Sequence, residues 1–355
     1  MSENIRFYLN LQMVADEMKS EIPDCVFIPG EDETCLRGVC FYRKGVHLEK
    51  QYVYIIREQD IKGETVPKTH CSLIILGKIP GKWLSSRHTL LGLPVETDLL
   101  DLMNLCQEIF RKHLSWAEKL QDIFVREGSV DELCKASVDY FQNPLFVHDS
   151  QMIVISCPIW RSKMIPWEQD ERTGCMIVPL EELNELKTDR EYLETLTTRN
   201  AQIFSAELRG YQDIYVNIWN TYGGYEGRLV ICEIDSDLKK GQFAAAEYLA
   251  ELIRLTLARR GKMDNTYSRA LERMIIAMLQ GKEVSDSEIV NRIGQCGWKQ
   301  EDEYICIRMN AEEQEGNPGS AASVCNYVEA RVAGTKAVFM EDHICIIINF
   351  SVLMN

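Results

Sequence analysis

The chain has 355 residues, 46% hydrophobic and 26% charged, with a formal net charge of −15. That length holds two or three ordinary cores, and an acidic balance without a long Lys/Arg run argues against binding a phosphate backbone. No apolar run approaches the ~20 residues of a bilayer span, and the polar, mixed Met1–Asn10 has no leader pattern, so a cytoplasmic protein without a membrane partner is expected.

In chain order, Leu11, Val14, Ala15, Met18 and Ile22 recur at helical spacing. Short strands are expected at Val26–Ile28, Gly38–Phe41, Val53–Ile56 and Leu73–Leu76, with Pro80, Gly81, Gly92 and Pro94 breaking the pattern after them. Residues 1–97 therefore read as a small α/β domain. An apolar stripe then runs Leu99, Leu102, Met103, Cys106, Ile109, Phe110, His113, Trp116, Ala117, Leu120, Ile123 and Phe124. A helix this long either joins domains and pairs with its twin in a homodimer, or packs as an ordinary core helix. It defines a connector over 98–126.

Residues 127–260 read as a second domain. Ser129, with Glu132 three residues on, has capping-box spacing for a helix over Val130–Phe141. Strands are expected at Pro144–Val147 and Met152–Ile155, then a loop with Trp160, Pro166 and Trp167 and a charged helix over Glu181–Leu196. Strands Ile214–Trp219 and Arg228–Ile234 join through Thr221–Gly227, and a long helix carries Phe243, Ala244, Tyr248, Leu252, Ile253 and Leu257. Gly261 and Asn265 are expected to end that helix. A third domain over 261–355 begins with helices at Leu271–Leu279 and Ser287–Cys296. A strand Tyr304–Met309, a polar loop Glu312–Ser320, a helix Val324–Val332 and a hairpin from Ala337–Met340 to Ile344–Phe350 complete it. The fold class is multi-domain α/β (α+β).

Catalytic and metal motifs are missing. The thirteen cysteines contain no Cys-x-x-Cys and mostly sit in apolar runs, which points to reduced, buried thiols. The six histidines are scattered, no His-Glu-x-x-His or Gly-x-Ser-x-Gly occurs, and Gly77–Trp83 only distantly echoes a phosphate loop. No catalytic residue, metal or cofactor is expected, and the chain reads as a non-enzyme. A ligand site is the better prospect. Tyr215, Asn217 and Trp219 alternate onto one strand face, Arg228 opens the neighbouring strand, and Trp160 and Trp167 lie on the preceding loop. These six are candidates to surround a planar or acidic small-molecule effector. The competing reading has the aromatics filling a core and Arg228 on the surface.

The order of landmarks resembles the PucR/CdaR-type transcription regulators of purine catabolism and sugar-diacid use. His113–Leu120 resembles the Trp-x-x-x-Leu helix leading into the sensor, and Asn143–Met152 the "NP-(apolar)-D" strand pair. Glu226–Glu233 resembles the next landmark strand. Leu271–Gly281 with Arg292–Trp298 and Tyr304–Ile307 resembles the entry to the third domain. The resemblance spans roughly residues 100–350. It implies a PucR-like N-terminal domain, a GAF-like sensor at 127–260 and a degenerate GGDEF-like domain at 261–355. The GGDEF hairpin would be Phe339–Ile344, where Glu341 and Asp342 stand without the paired glycines a nucleotide needs. A helix-turn-helix is expected beyond Asn355, so DNA contact would come only through that domain. The alternatives are the sensor region of an enzyme-linked signalling protein and a stand-alone ligand-binding adaptor.

Overall fold

The computed structural model describes residues 6–353 apart from 32–33, 85–86, 151, 170–175, 180–181, 183–184, 187, 220–224, 295, 311–323, 326–327, 330 and 341–342. Side chains at 260–270, 273, 288 and 291 also lie outside the described set. Residues 221–224 of the expected loop Thr221–Gly227, the loop Glu312–Ser320 and the Glu341–Asp342 pair fall outside it too, while Tyr225–Gly227 are strand rather than loop, paired across to Trp219 and Ile218. The chain divides into two compact units, residues 1–168 with 177–256, and residues 169–176 with 257–355.

In the first unit, helix α1 (Leu11–Glu21) starts at Asn10, whose side chain accepts the Met13 N–H at 3.0 Å. Then follow β1 (Val26–Ile28), β2 (Gly38–Phe41), β3 (Tyr52–Arg57), α2 (Glu58–Ile61), β4 (Ser72–Leu76), α3 (Gly81–Leu84) and β5 (Thr89–Leu93). They form a sheet of order β1-β5-β4-β3-β2, parallel except where β1 runs against β5. β5 corrects the expectation of a break at Gly92. All five of its residues are buried, so it reads as an unbroken apolar run. A Cβ there would stand 3.1 Å from Ile79 Cδ1, so a larger residue needs that side chain to give by a few tenths of an ångström.

Helix α4 (Leu99–Val125) is capped by Asp98, which accepts from Leu100 N at 2.8 Å and Asp101 N at 3.1 Å. Its apolar stripe packs within the unit, against α1, β2 and α5 (Val130–Phe141), as an ordinary core helix does. The capping box forms in full, with Glu132 N to Ser129 Oγ 3.2 Å and Ser129 N to Glu132 Oε2 2.8 Å. A second sheet is built from β6 (Leu145–Asp149), β7 (Val154–Ser156), β10 (Gln202–Phe204), β11 (Asp213–Trp219) and β12 (Tyr225–Cys232). Its order is β10-β11-β12-β6-β7 and every pairing is antiparallel. Between β7 and β10 lie β8 (Glu168–Gln169), β9 (Met176–Ile177) and helix α6 (Arg190–Thr195). The expected charged helix Glu181–Leu196 is broken at Asp189, whose extended backbone and side chain cap α6, while residues 182, 185–186 and 188 before it are helical. β10 was not expected, because three residues beside charged loops carry no readable period.

Helix α7 (Gln242–Leu279) is continuous, which corrects the expected break at Gly261 and Asn265. An interior glycine costs a helix only about 1 kcal/mol and leaves its backbone hydrogen bonds intact. The start of α7 is tied to α1, where Gly241 N donates to Asp16 Oδ2 at 2.6 Å. Phe7 packs on both Trp116 and Tyr248, at 5.5 and 4.9 Å between centroids.

The second unit carries α8 (Asp286–Gly294), β13 (Tyr304–Asn310), β14 (Thr335–Met340), β15 (His343–Asn349) and α9 (Phe350–Leu353). Its antiparallel sheet has the order β13-β15-β14. Leu271, Met274, Ile275, Ile293 and Trp298 pack with Val338 and Cys345, while Cys325 packs with Ala337, Ile344 and Ile346. In the expected helix Val324–Val332, Val332 N donates to Val328 O at 3.0 Å.

Candidate ligand site on the central sheet

Strand register builds the site. Across β6, β12 and β11, His148 pairs with Arg228 and Arg228 with Asn217. The next row is Phe146, Val230 and Tyr215, and the row after that pairs Cys232 with Asp213. Alternation places all of these on one face, which Phe204 of β10 extends beside Asp213, under a cover of Met164, Ile165, Val178, Leu186 and Tyr192.

Arg228 is 2% exposed, so the competing surface reading fails. Its Nε donates to Asn217 Oδ1 at 2.8 Å and its Nη2 to Thr195 Oγ1 at 2.7 Å. The guanidinium lies 4.6 Å from the Tyr215 ring centroid and 5.1 Å from that of Tyr192, a cation–π sandwich. Asn217 Nδ2 donates to Thr195 O at 2.7 Å and to Thr198 O at 3.1 Å, which ties the end of α6 to β11. Trp219 donates from Nε1 to the same Thr198 carbonyl at 3.1 Å and carries Arg199 over its ring at 4.2 Å.

Of the six expected residues, Tyr215, Asn217 and Arg228 are in direct contact, and Trp219 joins them through Thr198. Trp167 packs on the same core, edge-on to Phe146 at 4.9 Å. Trp160 stands apart. It is 47% exposed and donates to Ile165 O at 3.2 Å, so it is not a wall of the site. The sequence reading missed Tyr192, Thr195, Tyr225, His148, Arg209 and Asp213. Strand alternation offered a signal for His148 and Asp213, but nothing local marked the others.

Electrostatics across this face are uneven. Arg209 Nη1 lies 3.2 Å from Asp213 Oδ2, with both side chains largely buried. Desolvation pushes Asp213 up to about 6 against the attraction of Arg209. Burial lowers His148 to about 4. Its Nδ1, 2.7 Å from the Asp149 carbonyl, is the protonated ring nitrogen, because a carbonyl can only accept. Burial pushes the Tyr225 phenol up to about 12.

A pH dependence follows. Burial lowers His113 to about 4 as well, and its Nδ1 is 2.6 Å from the Tyr140 hydroxyl. Both histidines are neutral in the folded chain, whereas an unfolded histidine titrates near 6.5. Their contribution to stability is complete above that value and is lost as pH falls towards 4, at up to about 1.4 kcal/mol per pH unit for each group. Asp213 acts in the opposite sense between about 6 and 3.8, since its folded form takes the proton first. Stability measured by urea unfolding is therefore expected to fall from pH 6.5 to 5, and its dependence on pH should drop by about one proton in His148→Leu. An unchanged slope would mean that His148 is charged when folded.

Elsewhere in the unit, Cys71 Sγ lies 3.4 Å from His88 Nδ1. Burial pushes this thiol up to about 12 and lowers His88, so the pair stays neutral rather than forming a thiolate nucleophile. Among the described residues there is no group of three metal-binding side chains, and no helix is long and apolar enough to cross a membrane.

No protein-family model and no curated protein matches the chain. Among solved structures it is similar to the cofactor-binding GAF domain of the nutrient sensor CodY from Clostridium difficile. There the identity is 17% over 42% of this chain and 97% of that one, with a TM-score of 0.30. It is also similar to the repressor BlcR of Agobacterium tumefaciens, with 16% identity over 41% and 72% of the two chains and a TM-score of 0.23. A third is the E. coli DhaR(N)–DhaL complex, with 13% identity over 43% and 57% and a TM-score of 0.21.

Proposed function

We propose that this chain is the ligand-sensing region of a PucR/CdaR-type transcription regulator and is not itself an enzyme. In this reading residues 127–260 form a GAF-like sensor, 261–355 a catalytically inactive GGDEF-like module, and 1–97 an N-terminal regulatory domain, with 98–126 connecting them. A homodimer reaches DNA through a separate C-terminal domain. The observation that carries the sensor role is Arg228: a buried guanidinium held by neutral oxygens and two tyrosine rings, in a face of the sheet that the intervening chain covers. A buried charge without an ionic partner is costly and recurs where an anion is received.

The test is a thermal-shift screen of the full chain against purines, ureides, sugar diacids and amino acids. An effector should raise the melting point by the free energy RT ln(1 + [L]/Kd), about 2.7 kcal/mol at a hundredfold excess over Kd. Arg228→Gln should abolish the shift. A hit that binds Arg228→Gln and Trp167→Ala as well as the parent would remove this sheet from consideration as the sensor.

A further inference from the structure

The charges held under the cover of the central sheet restrict what the proposed site accepts. Among the described residues, Arg209, Asp213 and Arg228 are the ionisable side chains there that are largely buried and charged. Arg209 and Asp213 neutralise each other at 3.2 Å. Glu191, half-buried on α6, commits both carboxylate oxygens to Ser205, accepting its backbone N–H at 3.0 Å and its hydroxyl at 2.5 Å. His148 stands opposite Arg228 in the register and is neutral. Arg228 is left with neutral hydrogen-bond partners, Asn217 Oδ1 and Thr195 Oγ1, among the described residues. These bonds engage two of its five N–H donors. On the same strand, Arg228 acts on the buried Tyr225 hydroxyl both as a charge and as a hydrogen-bond donor, and the Tyr225 O–H itself meets no acceptor among the described residues.

Resting on the sensor reading above, we infer that this face takes a ligand with one negative charge: a monocarboxylate with a flat or apolar body, to the exclusion of dicarboxylates and phosphate dianions. A carboxylate matches the fork of a guanidinium and neutralises one cation. Tyr225 supplies an O–H donor to the same group, and the rings of Tyr192 and Tyr215 suit an apolar or planar body. A second negative charge would meet Asp213 and Glu191 with no further unpaired cation among the described residues, and its desolvation would go uncompensated.

The experiment titrates the full chain by calorimetry and thermal shift with six probes. These are benzoate and hexanoate, their neutral amides benzamide and hexanamide, and the multiply charged succinate and inorganic phosphate. The expected result is binding of the two monocarboxylates alone. It should weaken by about 100-fold in Arg228→Gln, as when one partner of a buried charge pair is truncated. In Tyr225→Phe, which removes one hydroxyl and keeps the ring, it should weaken by about tenfold. That second variant keeps the test decisive if Arg228→Gln does not fold. Preferential binding of succinate or phosphate, lost in Arg228→Gln, overturns the ligand class and leaves the sensor reading standing. Monocarboxylate binding that neither variant weakens overturns both. If no probe binds, the ligand class fails, while an Arg228-dependent hit in the broader metabolite screen would still uphold the sensor reading.

Discussion

Asn143→Ala is expected to destabilise the first unit by about 1–3 kcal/mol, the cost of leaving polar partners of a buried side chain unpaired. Asn143 is 1% exposed and sits between α5 and β6. Its Oδ1 accepts three consecutive backbone N–H groups, from Ile234 at 3.0 Å, Asp235 at 2.9 Å and Ser236 at 3.1 Å. Its Nδ2 donates to Ser236 O at 2.8 Å and to Ser236 Oγ at 3.0 Å. One side chain thus joins the start of β6 to the exit of β12, some ninety residues on. Alanine removes all five bonds: Ile234 N keeps Cys232 O at 2.9 Å and the Ser236 hydroxyl keeps Gln142 O at 3.0 Å, so the Asp235 and Ser236 amides lose most. Asn143→Asp keeps the acceptor and loses the donor, so it should fall between parent and alanine. Urea denaturation followed by circular dichroism reads the difference. A loss below about 1 kcal/mol for alanine would mean that water reaches these amides and replaces the side chain.

Gly227→Ala is expected to be at least as damaging. A Cβ at this position would lie 2.2 Å from His148 O and 3.0 Å from Asp149 Cα. Both are backbone atoms of the paired strand β6, which cannot swing aside as a side chain can. The strands must separate or slip, and overpacking of this kind costs about 1–3 kcal/mol even where the neighbours can give. Because Arg228 is the next residue, the same displacement pulls its guanidinium from Asn217 and Thr195. The variant should lose amide exchange protection along β6 and β12, and bind effector weakly if it folds. Parent-like protection in both strands would show that the pair has room to open.

Much of the architecture is local and therefore readable from the chain. The stripe Leu99–Phe124 predicts α4 to within a residue of its end, and Ser129 with Glu132 marks the start of α5. Alternation in Tyr215, Asn217 and Trp219 places three expected site residues on one strand face, with Arg228 in the neighbouring strand. Where local signals conflict with burial they mislead. Gly92 looks like a breaker and lies in a fully buried strand, and Gly261 looks like a stop and lies inside α7.

The tertiary structure decided the rest. Asn143 reads in the sequence as the start of the Asn-Pro strand landmark, yet its partners lie more than ninety positions away. Trp160 and Trp167 look equivalent in the sequence, but one is exposed and the other, half-buried, packs against the core. Thr195 reaches Arg228 across 33 residues because α6 is laid over the sheet. Periodicity and caps arise from neighbours a few bonds apart, so composition and spacing determine them. Strand register and the partners of a buried charge arise from which distant segments share a core, and only the assembled sheet and its cover decide those.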